Sequence, residues 1–426
     1  MKKTETEKNS VILREEVKNQ IKEIDTADIL IGIPSYNNAR TIGHVVSAVQ
    51  AGLAKYFPDK KAVIVNSDGG STDDTKGIVE ETTLDNLSSI LLSHRVLSYH
   101  KIVTPYQGIP GKGSAFRTIF EIAEAVGAKA CAVVDSDLRS ITPEWVDLLI
   151  SPVLNNEYDY VAPFYRRHKY DGTITNMIVY PLTSTLYGKK IRQPIGGDFG
   201  FSGRLASFYL TKDVWDTDVA RYGIDIWMTT TAIVYDFKIC QSFLGAKIHD
   251  AKDPGSDLSD MLNQVGSSIF TLMSEHQKKW KDVRSFEEVP TFGFKYAVGL
   301  EPIRVNTDAM IEKFSLGVGQ LTEIWESFLP KGVMWFLTSA AEKGSKGFTF
   351  PDEIWVEIIY NFGLAFHEKI MHHDHIIKSL TPLYLGKVAS FVLETWEMES
   401  DEVEDRLDSL CRAFMDFKEY IIERWE

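Results

Sequence analysis

Two aspartates stand one residue apart in Asp135-Ser136-Asp137, directly after the apolar run Ala130 to Val134. At a strand end both carboxylates can face one crevice and hold a divalent cation, Mg2+ or Mn2+, which bridges a diphosphate. A plain turn with a helix N-cap uses the same residue types, so the placement of the pair in the fold has to decide. His249, in Gly245-Ala-Lys247-Ile-His249-Asp250, follows the predicted strand Lys238 to Phe243. A histidine there can complete a cation site or serve only the structure. Gly108-Ile-Pro-Gly111-Lys112-Gly113-Ser114 offers backbone N–H groups, a lysine and a helix N-terminus, all suited to an anion. It is not a Walker loop, because Tyr106 stands where that pattern needs glycine. Gln193-Pro194-Ile195-Gly196-Gly197-Asp198 is a tight turn whose glycine pair allows close approach to a ligand or, equally, a hairpin. In Tyr222-Gly223-Ile224-Asp225, Asp225 reads first as the start of a helix, and an exposed cap could also accept hydroxyl protons from a sugar. His367, His372, His373, Asp374 and His375 cluster in sequence. Neighbours at those spacings point in different directions on a helix, so they read as a surface helix end and not as a metal site.

These residues need a scaffold, and the hydrophobic pattern supplies one. An amphipathic helix over 8–24 is followed by apolar strands at Ile29–Ile33, Ala62–Val65, Lys101–Val103 and Ala130–Val134. Helical stretches alternate with them, at about Thr41–Lys55, from near Thr72, up to about Ala125, and after Pro143. Alternating short strands and helices predict an α/β domain with helices on both faces of a largely parallel sheet. Ligands of such sheets bind beyond the carboxyl ends of the strands, and the polar turns named above sit at those ends. From 158 to 250 the pattern is mixed, which predicts a mixed sheet. From about 255 helical periodicity dominates, for example at 257–280, 305–328, 351–371 and 401–424. The predicted organisation is an N-terminal helical arm (1–26), a catalytic domain (27–255) and a helical C-terminal region (256–426). Within the domain, a nucleotide-binding half spans about 27–140 and an acceptor half about 141–255.

Composition narrows the function classes. The 426 residues carry a formal charge of −14, which excludes nonspecific nucleic-acid binding. Three scattered cysteines form neither a disulfide framework nor a metal spacing, as expected in a reducing interior. No apolar stretch approaches the roughly 18 residues that a membrane helix needs, and the charged N-terminus is unlike a signal peptide. The expectation is a cytoplasmic protein with no membrane partner.

Together the motifs resemble the GT-A fold retaining glycosyltransferases that make mannosylglycerate, glucosylglycerate and glucosyl-3-phosphoglycerate. The resemblance runs from Ile29 to about Ser390 and is most specific between 135 and 250. Pro34-Ser35-Tyr36-Asn37, with Asn38, stands where that family cups the nucleotide base. Asn66-Ser67-Asp68 and the residues to Asp73 look like its base- and ribose-reading turn. Gly111-Lys112-Gly113 matches its P-G-K-G loop, and Asp135-Ser136-Asp137 its metal motif. Gln193 to Asp198 resembles Q-P-L-G-G-E, Tyr222 to Asp225 resembles W-G-I-D, and Lys247-Ile-His249 resembles K-A-H, whose histidine completes the metal site. Phe164 to Thr175 looks like the acceptor strand and loop, placing Arg167, Asp171 and Thr175 on acceptor positions. There are departures. Asp198 replaces the usual Glu, Thr173 stands where phosphoglycerate-using members carry Arg, and Ala251 where they carry Asn. The acceptor loop and long helical tail lean toward the type that uses unphosphorylated glycerate, although Arg166 or Lys169 could still take a phosphate.

The resemblance implies a divalent-metal-dependent hexosyltransferase. Glucose or mannose would pass from UDP-glucose or GDP-mannose to D-glycerate or 3-phosphoglycerate, with retention, giving a compatible solute. Pro34, Ser35, Tyr36, Asn38, Ser67, Asp68, Lys112, Asp135, Ser136, Gly196 and Gly197 would hold the nucleotide sugar. Asp137 and His249 would hold the cation. Asp198 and Asp225 would meet the sugar, and Arg167 would clamp the acceptor carboxylate. The helical tail offers surface for a homodimer. Two other readings are an inverting sugar transferase on another acceptor and a noncatalytic nucleotide-sugar-binding protein.

Overall fold

A computed structural model describes residues 13–82, 99–106, 108–248, 259–296 and 303–426. In chain order its strands are β1 (Ile29–Ser35), β2 (Ala62–Asp68), β3 (His100–Pro105), β4 (Ala130–Val133), β5 (Tyr160–Arg166), β6 (Lys189–Lys190), β7 (Phe199–Ser202), β8 (Ile239–Ala246), β9 (Glu287–Glu288) and β10 (Thr291–Phe292). Eight of them form one sheet in the order β10-β8-β5-β7-β4-β1-β2-β3.

The chain divides into two compact units. The first comprises residues 1–166, 195–250 and 289–299. Its sheet is parallel except for β7, which runs antiparallel to both β4 and β5. β1 and β2 are buried along their whole length, as strands must be when helices cover both faces of a sheet. Helices Ile42–Tyr56 and Pro143–Asn156 pack together, and Lys112–Ala125 packs on β1, β2 and the helix Gly203–Leu210. One core cluster joins Ile29, Ile31, Ile33 and Ile64 of the sheet to Val45, Val49, Leu53, Trp145 and Leu149 of the covering helices. Each such side chain stabilises the fold by about 1.5–3 kcal/mol on burial. The orientation of β7 matters most for chemistry. Because Val133 pairs with Phe199, β7 enters the sheet at the edge where β4 leaves it. The turn Gly196-Gly197-Asp198 therefore arrives beside Asp135.

The second unit comprises residues 167–194, 251–288 and 300–426. A π-helical turn, Thr175–Val179, runs into the helix Tyr180–Tyr187, and β6 pairs with β9. The helices Ser259–Glu275, Thr307–Trp325, Lys331–Lys343, Asp352–His367, His373–Thr395 and Ser400–Asp416 make up most of the rest. The sequence reading places residues 141–255 in one acceptor half, whereas 167–194 groups with the helical region. Trp355 Nε1 donates to the Met177 carbonyl at 2.8 Å, Tyr180 donates to Asp408 at 2.9 Å, and Arg192 pairs with Glu404 at 2.7 Å. A second difference concerns apolar length. Counting consecutive apolar residues misses His373–Thr395, a 23-residue helix with an 18-residue stretch of mean hydropathy 1.3, long and apolar enough to cross a membrane. Within the unit 78% of that stretch is buried, and Lys387, on the helix, donates to Asp352 at 2.5 Å. The helix serves as the unit's core.

Candidate functional site

At the carboxyl ends of β1 and β2, where Ser35 pairs with Asp68, polar side chains are buried in place of the apolar ones earlier in each strand. Asn66, Ser67 and Asp68 are all at most 1% exposed. Asp68 ties the turn together: Oδ1 accepts from the N–H groups of Gly70 (2.9 Å) and Ser71 (2.8 Å), and Oδ2 accepts from the hydroxyls of Ser35 (3.0 Å) and Ser71 (2.6 Å). Burial works against its charge, but these donors and Lys76 at 3.2 Å keep the carboxyl below the usual range. The loop after β1 is locked to this turn. Asn37 adopts φ 54°, donating its N–H to Ser71 Oγ at 2.8 Å. Asn38 Oδ1 accepts from Tyr36 N–H (2.9 Å) and Ser136 Oγ (2.8 Å), joining the β1 loop to the turn after β4. That leaves the Tyr36 ring 62% exposed on a fixed backbone. Pro34 is buried one residue before the end of β1, paired with Ser67. Among the described residues, Asn66 Oδ1 and Ser67 Oγ are buried without a hydrogen-bond partner. Such groups cost about 1–3 kcal/mol each when unmatched, which is the signature of an edge built to meet something polar.

The charged centre lies where β4, β7 and β8 meet this edge. Asp135 is gripped from both sides: Oδ1 by Lys112 Nζ at 2.8 Å and Oδ2 by Lys247 Nζ at 2.8 Å. Burial opposes its ionisation, yet the two ammonium groups hold its carboxyl far below the carboxylate range. Burial likewise disfavours the Lys112 ammonium, and Asp135 and Asp225 overrule it, so Lys112 stays protonated well above its ordinary value. Lys247, on the strand-end segment after β8, also donates to Asp198 Oδ2 at 2.7 Å and the Gly196 carbonyl at 2.6 Å. Asp198 is 0% exposed. Its Oδ1 accepts from Asp135 N–H at 2.8 Å, and its Oδ2 from Lys247 and the Tyr165 hydroxyl. The sequence reading gives Asp198 a sugar contact, but in this geometry its oxygens are taken by the protein itself. Gly197 has φ +85°, and a Cβ there would lie 1.9 Å from Asp135 Oδ2. Its N–H donates to Asp225 Oδ2 at 2.9 Å. The other oxygen, Asp225 Oδ1, is buried and accepts no hydrogen bond among the described residues, with Lys112 Nζ 3.5 Å away. Burial raises the Asp225 carboxyl above its ordinary value, with Lys112 pulling the other way.

The glycines beside Lys112 have a packing reason. A Cβ on Gly113 would stand 1.9 Å from the Val219 carbonyl oxygen. Gly113 N–H donates to the Arg221 carbonyl, and Gly111 N–H to the Tyr106 hydroxyl. Those amides are spent within the protein, so Lys112, at the start of its helix, is what the loop offers an anion. Of the Asp-Ser-Asp pair, Asp137 is the exposed carboxylate, while Ser136 is buried with its carbonyl accepting from Thr41 Oγ1 at 2.7 Å. An exposed carboxylate oxygen beside the ammonium-bound Asp135 suits a hard cation. The second expected ligand, His249, lies outside the described residues, as does Ala251. No group of three metal-ligating residues occurs among the described residues, and the histidines of 367–375 fall at helix ends as expected.

In the second unit, Arg167, Asp171 and Thr175 gather around Gly172. Arg167 Nη1 is 3.9 Å from Asp171 Oδ2, and a point one Cβ off Gly172 lies 3.3 Å from Arg167 Nη1 and 3.9 Å from Thr175 Oγ1. Thr173 is buried, its hydroxyl 2.5 Å from that of Tyr384. Lys169 is not held in reserve for a phosphate. Its Nζ donates to the carbonyls of Thr395, Trp396 and Met398 at 2.7–2.9 Å, capping the helix His373–Thr395. Sequence reasoning overlooked Lys247 and Tyr165 as site residues. No local signal marks them, since Lys247 follows β8 as a solvated lysine would.

Residues 30–215 match the family described as Glycosyl transferase family 2. The glucosyl-3-phosphoglycerate synthase of Petrotoga mobilis is 28% identical over 194 residues, covering 42% of this chain and 55% of that protein, so the chain spans about half the length of the curated relative it matches. Crystal structures of glucosyl-3-phosphoglycerate synthase from Mycobacterium tuberculosis are also similar. One, in complex with Mn2+, UDP and glucosyl-3-phosphoglycerate, is 22% identical, covers 60% of this chain and 84% of its own, and has a TM-score of 0.41. Another, with Mn2+ and UDP-glucose, is 22% identical, covers 60% and 83%, and has a TM-score of 0.42. Residues 30–215, which hold most of the strands of the sheet and most of the strand-end chemistry above, are thus similar to glycosyl transferase family 2, and part of the chain is similar to a glucosyl-3-phosphoglycerate synthase.

Proposed function

We propose that this protein is a retaining glycosyltransferase that moves a hexose from a nucleotide diphosphate sugar to a small hydroxy acid. UDP-glucose and 3-phosphoglycerate are the favoured pair. The observation that carries this reading is the buried array of Lys112, Asp135, Lys247, Asp198 and Asp225 at one strand edge, beside the fixed Tyr36 and Asp68 loops. A second reading of the acceptor, unphosphorylated glycerate, is favoured by Thr173. Its hydroxyl is tied to Tyr384 where phosphoglycerate-using relatives carry an arginine. GDP-mannose is the alternative donor.

The base rests on the loops after β1 and β2, with Tyr36 offering an exposed ring face. Lys112 meets the diphosphate, exchanging part of its contact with Asp135 for the phosphate oxygens. Asp137 and His249 would hold Mg2+ or Mn2+, which would supply neutralisation of charge on the diphosphate. As the glycosidic bond breaks, negative charge grows on the leaving phosphate beside Lys112. Asp225, with one oxygen set by Gly197 N–H, accepts from a sugar hydroxyl or faces the developing oxocarbenium centre. Arg167 binds the acceptor carboxylate with two parallel N–H bonds, helped by Thr175 and oriented by Asp171. Retention, assisted by the leaving phosphate on the same face, is the proposed course. The same reading carries a cytoplasmic protein that pairs with a second copy through its helical region, where Leu316 and Trp335 are exposed.

The test is nucleotide release by purified protein with Mn2+ or Mg2+, UDP- and GDP-linked glucose and mannose, and glycerate against 3-phosphoglycerate. Release that needs an acceptor supports a transferase. Donor binding with no release on adding either acceptor would support a noncatalytic binding protein instead.

A further inference from the structure

Lys247 stands out as a cation held by the protein frame. Its side chain is 4% exposed, too deep to meet a ligand, and its ammonium ties the segment after β8 to two other pieces of chain, the end of β4 and the turn that leads into β7. It takes Asp135 Oδ2 at 2.8 Å, where β4 ends, Asp198 Oδ2 at 2.7 Å, just before β7, and the Gly196 carbonyl at 2.6 Å, in the turn leading to β7. The Tyr165 hydroxyl, at the end of β5, reinforces two of these anchors, bonding Asp198 and, at 3.2 Å, the Gly196 carbonyl. The next residue of the turn, Gly197, sets Asp225 through its N–H at 2.9 Å. Asp198 meanwhile fixes the Asp135 backbone through Asp135 N–H. A single ammonium, itself buried away from solvent, thus holds in register the Asp135 and Asp225 carboxylates.

Resting on the transferase reading above, we propose that Lys247 is a positioning residue: it sets Asp135 and Asp225 for the sugar by fixing Asp198 and the Gly196-Gly197 turn, while Lys112 alone turns to the diphosphate. Two lysines then divide the work. Asp135 keeps a counter-charge from Lys247 when Lys112 swings to phosphate, so donor binding does not strand a buried carboxylate. This division predicts that the nucleotide and sugar halves of the donor respond differently to loss of Lys247. The nucleotide depends on the β1 and β2 loops and on Lys112. The sugar depends on carboxylates that Lys247 holds, and a displacement of about 1 Å at a reacting centre costs roughly 100-fold in rate.

The experiment compares wild type, Lys247→Met and Lys247→Arg by titration with UDP or GDP, whichever the wild type releases, in the presence of Mn2+, and by kcat for transfer. For Lys247→Met the nucleotide Kd should stay within about threefold while kcat falls about 100-fold. Lys247→Arg, which keeps the charge and offers several N–H donors, should recover kcat to within about tenfold of wild type. Wild-type kcat in Lys247→Met, or nucleotide affinity falling in step with kcat, overturns the proposal, since the latter is what general collapse of the site would produce. If Lys247→Met does not fold, Lys247→Gln takes its place, with Kd and kcat expected to move in the same way and the same two results overturning the proposal. A wild type that releases no nucleotide with any acceptor is a separate failure, which removes the transferase reading itself.

Discussion

At the scale of single residues, the site assigns different work to chemically similar groups by what surrounds each of them. Asp135, Asp198 and Asp225 lie within one charged array, yet Asp198 is filled by protein donors, Asp135 by two lysines, and Asp225 keeps one oxygen without a hydrogen bond. Lys112 is the cation nearest that open oxygen and the one at a helix N-terminus. Replacing it with methionine removes a charge-assisted contact, typically about 1.5–3 kcal/mol. Lys112→Met should raise the donor KM roughly 10- to 100-fold and leave the acceptor KM nearly unchanged, as measured by initial rates with each substrate varied in turn. Arg167→Ala should do the reverse, raising the acceptor KM by a similar factor. Equal effects of Arg167→Ala on both substrates would remove its assignment to the acceptor. At this scale the sequence pointed to Asp135 by its place after a strand and to Lys112 and Asp225 by their places at helix starts. It was blind to Lys247 as a frame residue, because nothing local distinguishes a buried lysine with three acceptors from a solvated one. It also offered Lys169 as a phosphate ligand, when its ammonium caps a helix more than 200 positions away in the chain.

At the scale of elements, the reversed strand β7 is what assembles the site. Running against β4, it delivers Gly196-Gly197-Asp198 to the edge where Asp135 emerges. Gly197 is the hinge of that delivery, with φ +85° and no room for a side chain beside Asp135 Oδ2. Gly197→Ala should cost about 1–2 kcal/mol of stability from the left-handed backbone alone and, by pushing Asp135 aside, lower kcat about 100-fold. Thermal melting and initial rates measure the two effects; a variant with wild-type kcat would show that the turn does not position the carboxylates. The strand–helix alternation through residue 156 was legible from apolar runs. β1, β2, β4 and the helices after them fall within a few residues of the expected spans. The direction of β7 was not legible, since a four-residue buried strand of Phe-Gly-Phe-Ser carries no directional signal. The helices Lys331–Lys343 and His373–Thr395 fall within the expected helical C-terminal region but were not delimited individually. The latter is apolar on nearly every face, so the usual one-sided stripe is absent.

At the scale of the whole molecule, each unit has its own source of cohesion, and the helical one depends on a buried ionic knot. Asp352 starts one helix, Lys387 lies inside the next, and Arg406 comes from a third; the carboxylate accepts from Lys387 at 2.5 Å and from both Arg406 Nη atoms at 2.8 Å. Burial would raise the Asp352 carboxyl, but Arg406 and Lys387 overrule it and hold it below its ordinary 3.8. A carboxyl with a depressed folded-state value adds stability that is present above pH 3.8 and is lost as the pH falls through the folded value. Asp352→Asn should therefore destabilise the protein at neutral pH, by about 3–5 kcal/mol as for breaking a buried ion pair. It should also flatten the acid limb of the stability curve. Denaturant titrations from about pH 7 down to about pH 3 measure both; an unchanged acid limb would assign that pH dependence to other carboxylates. The boundary between the units escaped the sequence reading because residues 167–194 join the helical region through contacts more than 150 positions apart, such as Trp355 with Met177.

The proposed transfer would turn on Asp137 holding a cation that neutralises a departing nucleotide diphosphate. Nucleotide release from UDP-glucose and GDP-mannose, by wild type and Asp137→Ala with Mn2+, tests this most directly. Release should fall at least about 1,000-fold in Asp137→Ala, consistent with loss of several kcal/mol of charge stabilisation, while the melting temperature stays near that of wild type. A folded Asp137→Ala that releases nucleotide at the wild-type rate, with chelator present, would contradict it.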